Sequence, residues 1–218
     1  NPFNKKITED QLTDIITDFD VIIAGTEPIT EKVLNRATNL KLISRVGIGL
    51  DSVDLLAAQK RGIKVSYTPD APSLAVAELT LGLMLTLLRS VHVSNSQMHQ
   101  GQWNRFFGKR LEEVTVGIIG VGRIGTGVLK RLKGFGTKKI LVNDIETNRE
   151  LDNKYKLEWT SKEKIYKEAD IISLHLPLTH LTKNLIRKEH LLIMKPDAVL
   201  INTSRGGIIN EVDLYEVI

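Results

Sequence analysis

The sequence predicts an α/β protein, in which parallel strands are joined by helices. Three observations indicate this class. Short apolar strands alternate with helix-period segments along most of the 218 residues, as parallel sheets require. One of these strands runs directly into a glycine-rich turn, and a proline pair at Pro69 and Pro72 divides the chain. Because that length allows two small domains to bury a core each, we expect two α/β domains.

Composition excludes several function classes. There is no cysteine, so disulfides and thiolate metal sites are excluded, and we expect no metal site. The formal net charge is +4, but basic residues are scattered among acids, which gives little support to a nucleic-acid partner. A mildly positive surface suits small anionic molecules equally well. The longest apolar run, residues 79–88, is short for a membrane span. With no signal-peptide pattern at the N-terminus, we expect a cytoplasmic protein with no nucleic-acid or membrane partner.

The first domain is predicted over residues 1–68. Thr8 and Thr30 are placed to cap its first two helices, and Gly62 follows the third. The predicted helices cover 9–16, 31–37 and 52–60, and the predicted strands cover 21–24, 40–46 and 63–65. Because the first element is a helix, the strand that usually opens such a sheet is not among them.

The second domain is predicted over residues 69–218. It begins with a long helical stretch from Ser73 to about Gln100, too long and apolar for a crossover. This helix is either an arm that joins the two domains or a buried core helix. If an apolar face is exposed, we expect a homodimer that forms through it.

A glycine motif follows the strand that starts at Val114. The sequence runs into Gly120-x-Gly122-x-x-Gly125, then a helix-period segment, then a short strand that ends at Asp144, nineteen positions after Gly125. Strand, turn, helix, strand and acid in this order predict a Rossmann-type dinucleotide-binding unit. The first glycine allows the tight turn, the second lets a pyrophosphate approach, and the third lets helix and strand pack.

This motif alone does not select the ligand. The same unit serves methyltransferases and flavin enzymes. A methyltransferase is disfavoured by the two further features described next, which it would not need.

Further strands end at the same predicted edge of the sheet. Helices over 162–168 and 187–194 precede strands over 170–174 and 198–203, which end at His175 and at 202–205. Ligands of open parallel sheets bind outside the carboxyl ends of the strands. Arg205 therefore lies where its guanidinium can bind a carboxylate, or it pairs with Glu211. In the first domain, the loop 46–49 follows a strand and either cradles an anion with backbone N–H groups or is a plain turn.

Together, five segments resemble the D-isomer-specific 2-hydroxyacid dehydrogenases, in the branch of D-3-phosphoglycerate dehydrogenase and the hydroxypyruvate or glyoxylate reductases. They are residues 45–54, 73–79, 117–125, 173–179 and 194–206. The resemblance implies a Rossmann-type doubly wound NAD domain and a smaller flavodoxin-like substrate domain. It also implies an NAD-dependent oxidoreductase that interconverts a small D-2-hydroxy acid and its 2-keto acid.

The resemblance assigns roles to individual residues. Arg205 would be catalytic, because it would bind and orient the substrate carboxylate, whose other side would meet the backbone of Val46, Gly47, Ile48 and Gly49. The implied NAD contacts are Gly120, Gly122, Arg123, Ile124, Gly125, Asp144, His175, Leu176, Pro177, Thr203, Ser204 and Arg205. Among these, residues 175–177 would flank the adenosine, and Thr203 and Ser204 would lie near the nicotinamide. The histidines that match nothing catalytic are His92, His99, His180 and His190.

The resemblance leaves a second hypothesis open, because the same family includes members that bind partners. The family's catalytic histidine and glutamate lie downstream of the arginine and are not among the 218 residues. We therefore expect an enzyme cut at both ends, with weak NAD affinity and negligible turnover as it stands. The alternative is a non-catalytic, NAD-binding, corepressor-like interaction protein of the same fold.

The sequence predicts a preference for NAD over NADP. Ile145 and Glu146 follow Asp144, so a 2′-phosphate would meet two carboxylates, and like-charge repulsion should weaken its binding. Fluorescence titration with NADH and NADPH measures the two affinities. Equal or tighter binding of NADPH would contradict the prediction.

Overall fold

The computed structural model describes residues 5–218. The first four residues, on which the signal-peptide argument partly rests, lie outside them. Two compact units divide the chain, one up to Pro72 and one from Ser73. This division falls four residues after the predicted boundary at 68/69.

The first unit contains a three-stranded parallel sheet. Its strands lie in sequence order, with Val21 opposite Leu42 and Leu42 opposite Lys64. A flavodoxin-like sheet reverses its winding, and three strands in sequence order do not display a reversal, so that part of the prediction stays a prediction. The elements are α1 (Glu9–Ile15), a 3₁₀ turn (Ile16–Asp18), β1 (Val21–Ala24), α2 (Glu31–Arg36), β2 (Leu42–Arg45), α3 (Leu55–Lys60) and β3 (Lys64–Tyr67).

The helix caps of this unit agree only in part with the sequence. Thr8 caps α1 as predicted, in a capping box with Gln11. Thr30 occupies the N-cap position of α2 as predicted, but its hydroxyl donates to the Glu9 carboxylate, so it forms no side-chain capping hydrogen bond to α2. Helix α3 begins at Leu55 rather than at 52 because Asp54 caps it, accepting from the Ala57 N–H at 2.9 Å.

The second unit contains a five-stranded parallel sheet of order β6-β5-β4-β7-β8. Its elements are α4 (Ala71–Leu88), α5 (Val91–His99), β4 (Thr115–Ile119), α6 (Arg123–Gly134), β5 (Lys139–Asn143), α7 (Arg149–Tyr155), β6 (Glu158–Trp159), α8 (Lys162–Glu168), β7 (Ile171–Leu174), α9 (Lys188–Leu192), β8 (Val199–Asn202) and α10 (Glu211–Val217). The sheet winds in both directions from the central β4, which confirms the predicted doubly wound fold. Helix α7 and strand β6 were not predicted from the sequence. Strand β6 is two residues long, and so short a strand has no readable period.

Helices cover both faces of the central strand β4. On one face Val128 and Leu129 of α6 pack with Ile118, and on the other Ile165 of α8 packs with Ile119. All five side chains are fully buried, and burying an aliphatic side chain of this size contributes about 1.5–3 kcal/mol. The carboxyl end of β4, where the glycine turn begins, is therefore fixed from both sides.

The predicted long helix from 73 to 100 is wrong as one continuous helix. It is broken between α4 and α5 at Ser90, whose φ of +51° is left-handed. The Leu88 carbonyl, freed by the break, accepts from the Lys109 N–H at 3.2 Å. Because neither glycine nor proline marks this turn, no local pattern in the sequence predicts it.

By length and composition, α4 is also a candidate membrane span. Our expectation considered only the shorter run 79–88. Ala77 and Met84 of α4 are fully buried in the core of the second unit, whereas Leu74 and Leu79 are 62% and 56% exposed. A helix that packs into a core on one side passes the same length and composition test, so the test alone is weak evidence for a membrane.

Candidate functional site

Four neighbouring strands of the second unit end at one edge of its sheet. Ile119 is paired with both Asn143 and Leu174, and Leu174 is paired with Asn202. The residues that directly follow these strands therefore lie side by side, as the sequence predicted. They are Gly120, Asp144, His175 and Thr203. The winding of the sheet reverses beside β4, and this is the point where doubly wound sheets bind ligands.

The turn after β4 requires glycine at two positions. Gly120 has φ of +96°, and a Cβ there would lie 2.3 Å from the His175 carbonyl oxygen. A Cβ on Gly125 would lie 2.1 Å from the Gly120 carbonyl oxygen. The Gly120 N–H donates to the Asn143 carbonyl at 2.8 Å. The turn is thus held between the ends of β5 and β7 by backbone contacts that exclude any side chain.

The second glycine of the motif faces open space. A Cβ on Gly122 would meet no atom of the described chain within 4 Å, so packing does not explain this glycine. Gly122 precedes the twelve-residue helix α6, at whose start no side chain of the described residues forms a capping hydrogen bond. First-turn N–H groups of such a helix can bind phosphate oxygens. Open space in front of α6, where Arg123 and Ile124 begin it, fits a pyrophosphate.

Asp144 joins the glycine turn to the end of β5. Its Oδ2 accepts from the Val121 N–H at 2.6 Å, and its Oδ1 accepts from the Ile145 N–H at 2.7 Å. The carboxylate lines an open cavity of about 680 Å³. The other lining residues are Val121, Ile145, Glu146, Thr147, Asn148, Arg149 and Glu150. An acid at this place suits ribose hydroxyls, which donate hydrogen bonds to it.

Arg149 was missed by the sequence analysis. It is the first residue of α7 and lines the same cavity as Asp144 and Glu146. Its guanidinium brings a positive charge to a cavity for which the sequence analysis considered only carboxylates. Its place at the cavity depends on helix α7, so only a prediction of that helix could have indicated it.

His175 is a neutral side chain beneath this edge. Its Nε2 lies 2.9 Å from Ser173 Oγ, and its buried Nδ1 has no hydrogen-bond partner in the described part of the chain. Burial lowers the pKa of the imidazole to about 4. His175 is therefore uncharged at pH 7. The next two residues diverge, since Leu176 packs against the core and Pro177 is exposed.

The turn after β8 is closed by Asn202. Its Nδ2 donates to the Arg205 carbonyl at 2.8 Å, and its Oδ1 accepts from the Ser204 N–H at 3.0 Å and the Ser204 hydroxyl at 2.7 Å. The Arg205 Nη1 donates to the Ser204 carbonyl at 2.8 Å. Asn202 thus positions Ser204 and Arg205, a role that the sequence analysis missed. Pairing of Arg205 with Glu211 stays an open alternative.

The loop 46–49 belongs to the first unit, and two of its backbone N–H groups donate hydrogen bonds within the protein. The Val46 N–H donates to the Ala24 carbonyl at 2.9 Å, and the Gly47 N–H donates to the Thr68 hydroxyl at 2.7 Å. These two N–H groups are engaged within the protein, contrary to a cradle that uses the whole loop.

No metal centre is formed within residues 5–218, where no group of three or more His, Asp or Glu side chains is placed to hold an ion.

The doubly wound sheet, the glycine turn and the acid after β5 define a dinucleotide-binding protein of the Rossmann class. The chain belongs to the D-isomer-specific 2-hydroxyacid dehydrogenase family. Residues 81–218 match the model of this family's NAD binding domain. The predicted family and its cofactor, NAD, are thereby confirmed.

The chain is similar in sequence to two enzymes and in structure to a third. The chain is 40% identical over 217 residues to D-3-phosphoglycerate dehydrogenase of Methanocaldococcus jannaschii, in an alignment that covers 97% of this chain and 41% of that protein. It is 38% identical over 216 residues to hydroxypyruvate reductase of Thermotoga maritima, in an alignment that covers 98% of this chain and 69% of that protein. The structure of D-lactate dehydrogenase from Aquifex aeolicus, complexed with NAD and lactic acid, aligns with a TM-score of 0.87 at 30% identity. That alignment covers 96% of this chain and 64% of the lactate dehydrogenase.

The glycine turn leads to a prediction with a matched control. Gly120→Ala should lower NAD affinity by at least about tenfold, because the new Cβ would force the turn away from the His175 carbonyl. Gly134→Ala, at the end of α6 where a Cβ meets nothing within 4 Å in the described chain, should bind NAD normally. Calorimetric titration of NAD into both variants measures this. Wild-type affinity in Gly120→Ala would show that the turn tolerates a side chain.

Proposed function

We propose that the protein is an NAD-dependent oxidoreductase that interconverts a small D-2-hydroxy acid and its 2-keto acid. The observation that carries this proposal is Arg205 on a turn closed by Asn202, at the same sheet edge as the glycine turn. NAD, when bound, accepts or supplies the hydride. The protein's part is to hold the two reactants and orient them, which can contribute a large share of the rate.

The cofactor roles follow the sheet edge from β5 to β8. Asp144 binds the adenosine ribose, the N-terminus of α6 binds the pyrophosphate, and the turn after β8 receives the nicotinamide. The residues proposed for these contacts are Gly120, Gly122, Arg123, Ile124, Gly125, Asp144, His175, Leu176, Pro177, Thr203, Ser204 and Arg205. The hydrogen bond from the Val121 N–H to Asp144 and the open space at Gly122 support this order along the edge.

Arg205 is proposed to bind the substrate carboxylate. Its planar guanidinium can form two parallel charge-assisted hydrogen bonds, which fix the orientation of the acid as well as its position. We propose the first unit as the substrate domain and the second as the NAD domain. Within the first unit, the N–H groups of Ile48 and Gly49 are proposed as donors to an anion. His175 is not proposed as the proton donor, since burial keeps it neutral at pH 7.

The similar enzymes suggest the size of the substrate, since they include D-3-phosphoglycerate dehydrogenase, hydroxypyruvate reductase and glyoxylate reductase. Hydroxypyruvate, glyoxylate and a phosphorylated three-carbon keto acid are proposed as the acids to test. We also propose that the protein acts in the cytoplasm and binds neither nucleic acid nor a membrane. The corepressor-like alternative has no observation in its favour among the described residues.

We also propose a homodimer that forms through residues 73–100. Core packing takes one side of α4, while Leu74 and Leu79 on α4 and Val91 and Met98 on α5 are more than half exposed. Exposed apolar side chains grouped along consecutive helices are typical of a protein interface.

The role of Arg205 leads to a kinetic prediction in the full-length protein. Arg205→Lys should lower kcat/KM for the keto acid on the order of a hundredfold, because lysine keeps the charge but loses the bidentate geometry. NADH affinity should change far less. Arg187→Lys, at the exposed start of α9, serves as the control. The assay follows NADH oxidation with the three acids, and unchanged kcat/KM in Arg205→Lys would refute the role.

The dimer leads to a separate prediction. Leu74→Arg combined with Leu79→Arg should dissociate the dimer, because two charges would have to be buried at the interface. Leu192→Arg, on the exposed end of α9, should not. Sedimentation velocity reports the mass of each variant, and a wild-type monomer would contradict the proposal directly.

A further inference from the structure

A pair of threonine hydroxyls links helix α4 to the turn after β8. Thr80 is fully buried, and its Oγ lies 2.9 Å from the Val76 carbonyl oxygen and 2.9 Å from the Oγ of Thr203. All three residues belong to the second unit. Thr203 is half-buried at the carboxyl edge of the sheet, so a ligand at that edge can reach it.

The direction of these two hydrogen bonds is fixed by the backbone carbonyl. A carbonyl oxygen only accepts, so the hydroxyl proton of Thr80 points to Val76. Having no second proton, Thr80 meets Thr203 as an acceptor, and Thr203 must donate. The protons therefore run from Thr203 to Thr80 to the Val76 carbonyl. What Thr203 has left for any ligand is its lone pairs.

Reversing this direction is unfavourable because Thr80 is sealed from water. Its neighbours on α4 that point into the same core, Ala77 and Met84, are fully buried and apolar. If the Thr80 hydroxyl turned toward Thr203, its oxygen would face the Val76 carbonyl oxygen at 2.9 Å with no proton between the two, and no water could take up either lone pair. Thr203 is thus held as a hydrogen-bond acceptor, unlike an ordinary hydroxyl, which rotates to suit either kind of partner.

We propose that Thr80 is a positioning residue that makes the Thr203 hydroxyl selective for the NH₂ of the nicotinamide carboxamide. This inference rests on the proposed function, which puts the nicotinamide end of NAD beside Thr203. The carboxamide carries a donor on one side and an acceptor on the other, and a freely rotating hydroxyl can bind either side. A hydroxyl whose proton is already committed takes the NH₂ alone. It thereby disfavours the flipped amide.

The test compares two cofactors that differ only in that donor. NAD⁺ has the carboxamide NH₂, and 3-acetylpyridine adenine dinucleotide has a methyl group in its place. Calorimetric titration of each into the full-length protein gives the affinity ratio. For the wild type and for Thr80→Ser, which keeps the hydroxyl, we expect NAD⁺ to bind about tenfold tighter, the value of one hydrogen bond.

The variants separate the two threonines. In Thr203→Val the ratio should fall to about one because NAD⁺ loses affinity. In Thr80→Val the ratio should fall because the analogue gains affinity, since the released Thr203 proton can then donate to the acetyl oxygen. Thr203→Ala replaces the valine variant if circular dichroism shows that the latter does not fold.

Each outcome decides a different point. An unchanged ratio in Thr203→Val would overturn the contact with the amide. A wild-type ratio in Thr80→Val would overturn the positioning role and leave Thr80 as a packing residue. Failure of the proposed function shows separately, as a wild type that binds NAD⁺ with the expected ratio but oxidises no NADH with any keto acid. A wild type that does not bind NAD⁺ would overturn the inference together with the proposed cofactor site.

Discussion

The close contact of two glycines with backbone carbonyl groups determines the shape of the candidate site. Gly120 lies against the His175 carbonyl, and Gly125 lies against the Gly120 carbonyl, at distances that no Cβ permits. These contacts bring the ends of β4 and β7 and the start of α6 together. Because Asp144 then accepts from the Val121 N–H, the acid after β5 is tied to the same turn. One steric constraint thus aligns three of the groups proposed to hold NAD.

Features encoded by adjacent residues were predictable from the sequence. The glycine motif, the strands that end at Asp144 and His175, and helix α8 over Lys162–Glu168 all depend on local patterns of apolar residues and turn residues. The parallel pairing of the strands followed because strands that alternate with helices need crossover connections, whereas the order of the strands was not predicted. The family followed from the same segments taken together.

Features that depend on distant residues were not predictable. The Thr30 hydroxyl leaves its helix for a carboxylate twenty-one positions away, and the bend at Ser90 coincides with a contact between Leu88 and Lys109. The Gly47 N–H likewise meets Thr68 only in the folded sheet. In each case the partner is supplied by the fold, so no local pattern records it.

The brevity of β6 affects how the second unit meets other chains. An outer strand presents unpaired N–H and C=O groups that can recruit a strand from a neighbouring molecule. Here the edge strand β6 is two residues long, Glu158 and Trp159. The Lys164 ammonium forms an ion pair with the Glu158 carboxylate at 2.5 Å. So short and charged a border offers little template for sheet-to-sheet growth. This side of the molecule is therefore protected against aggregation by its own geometry.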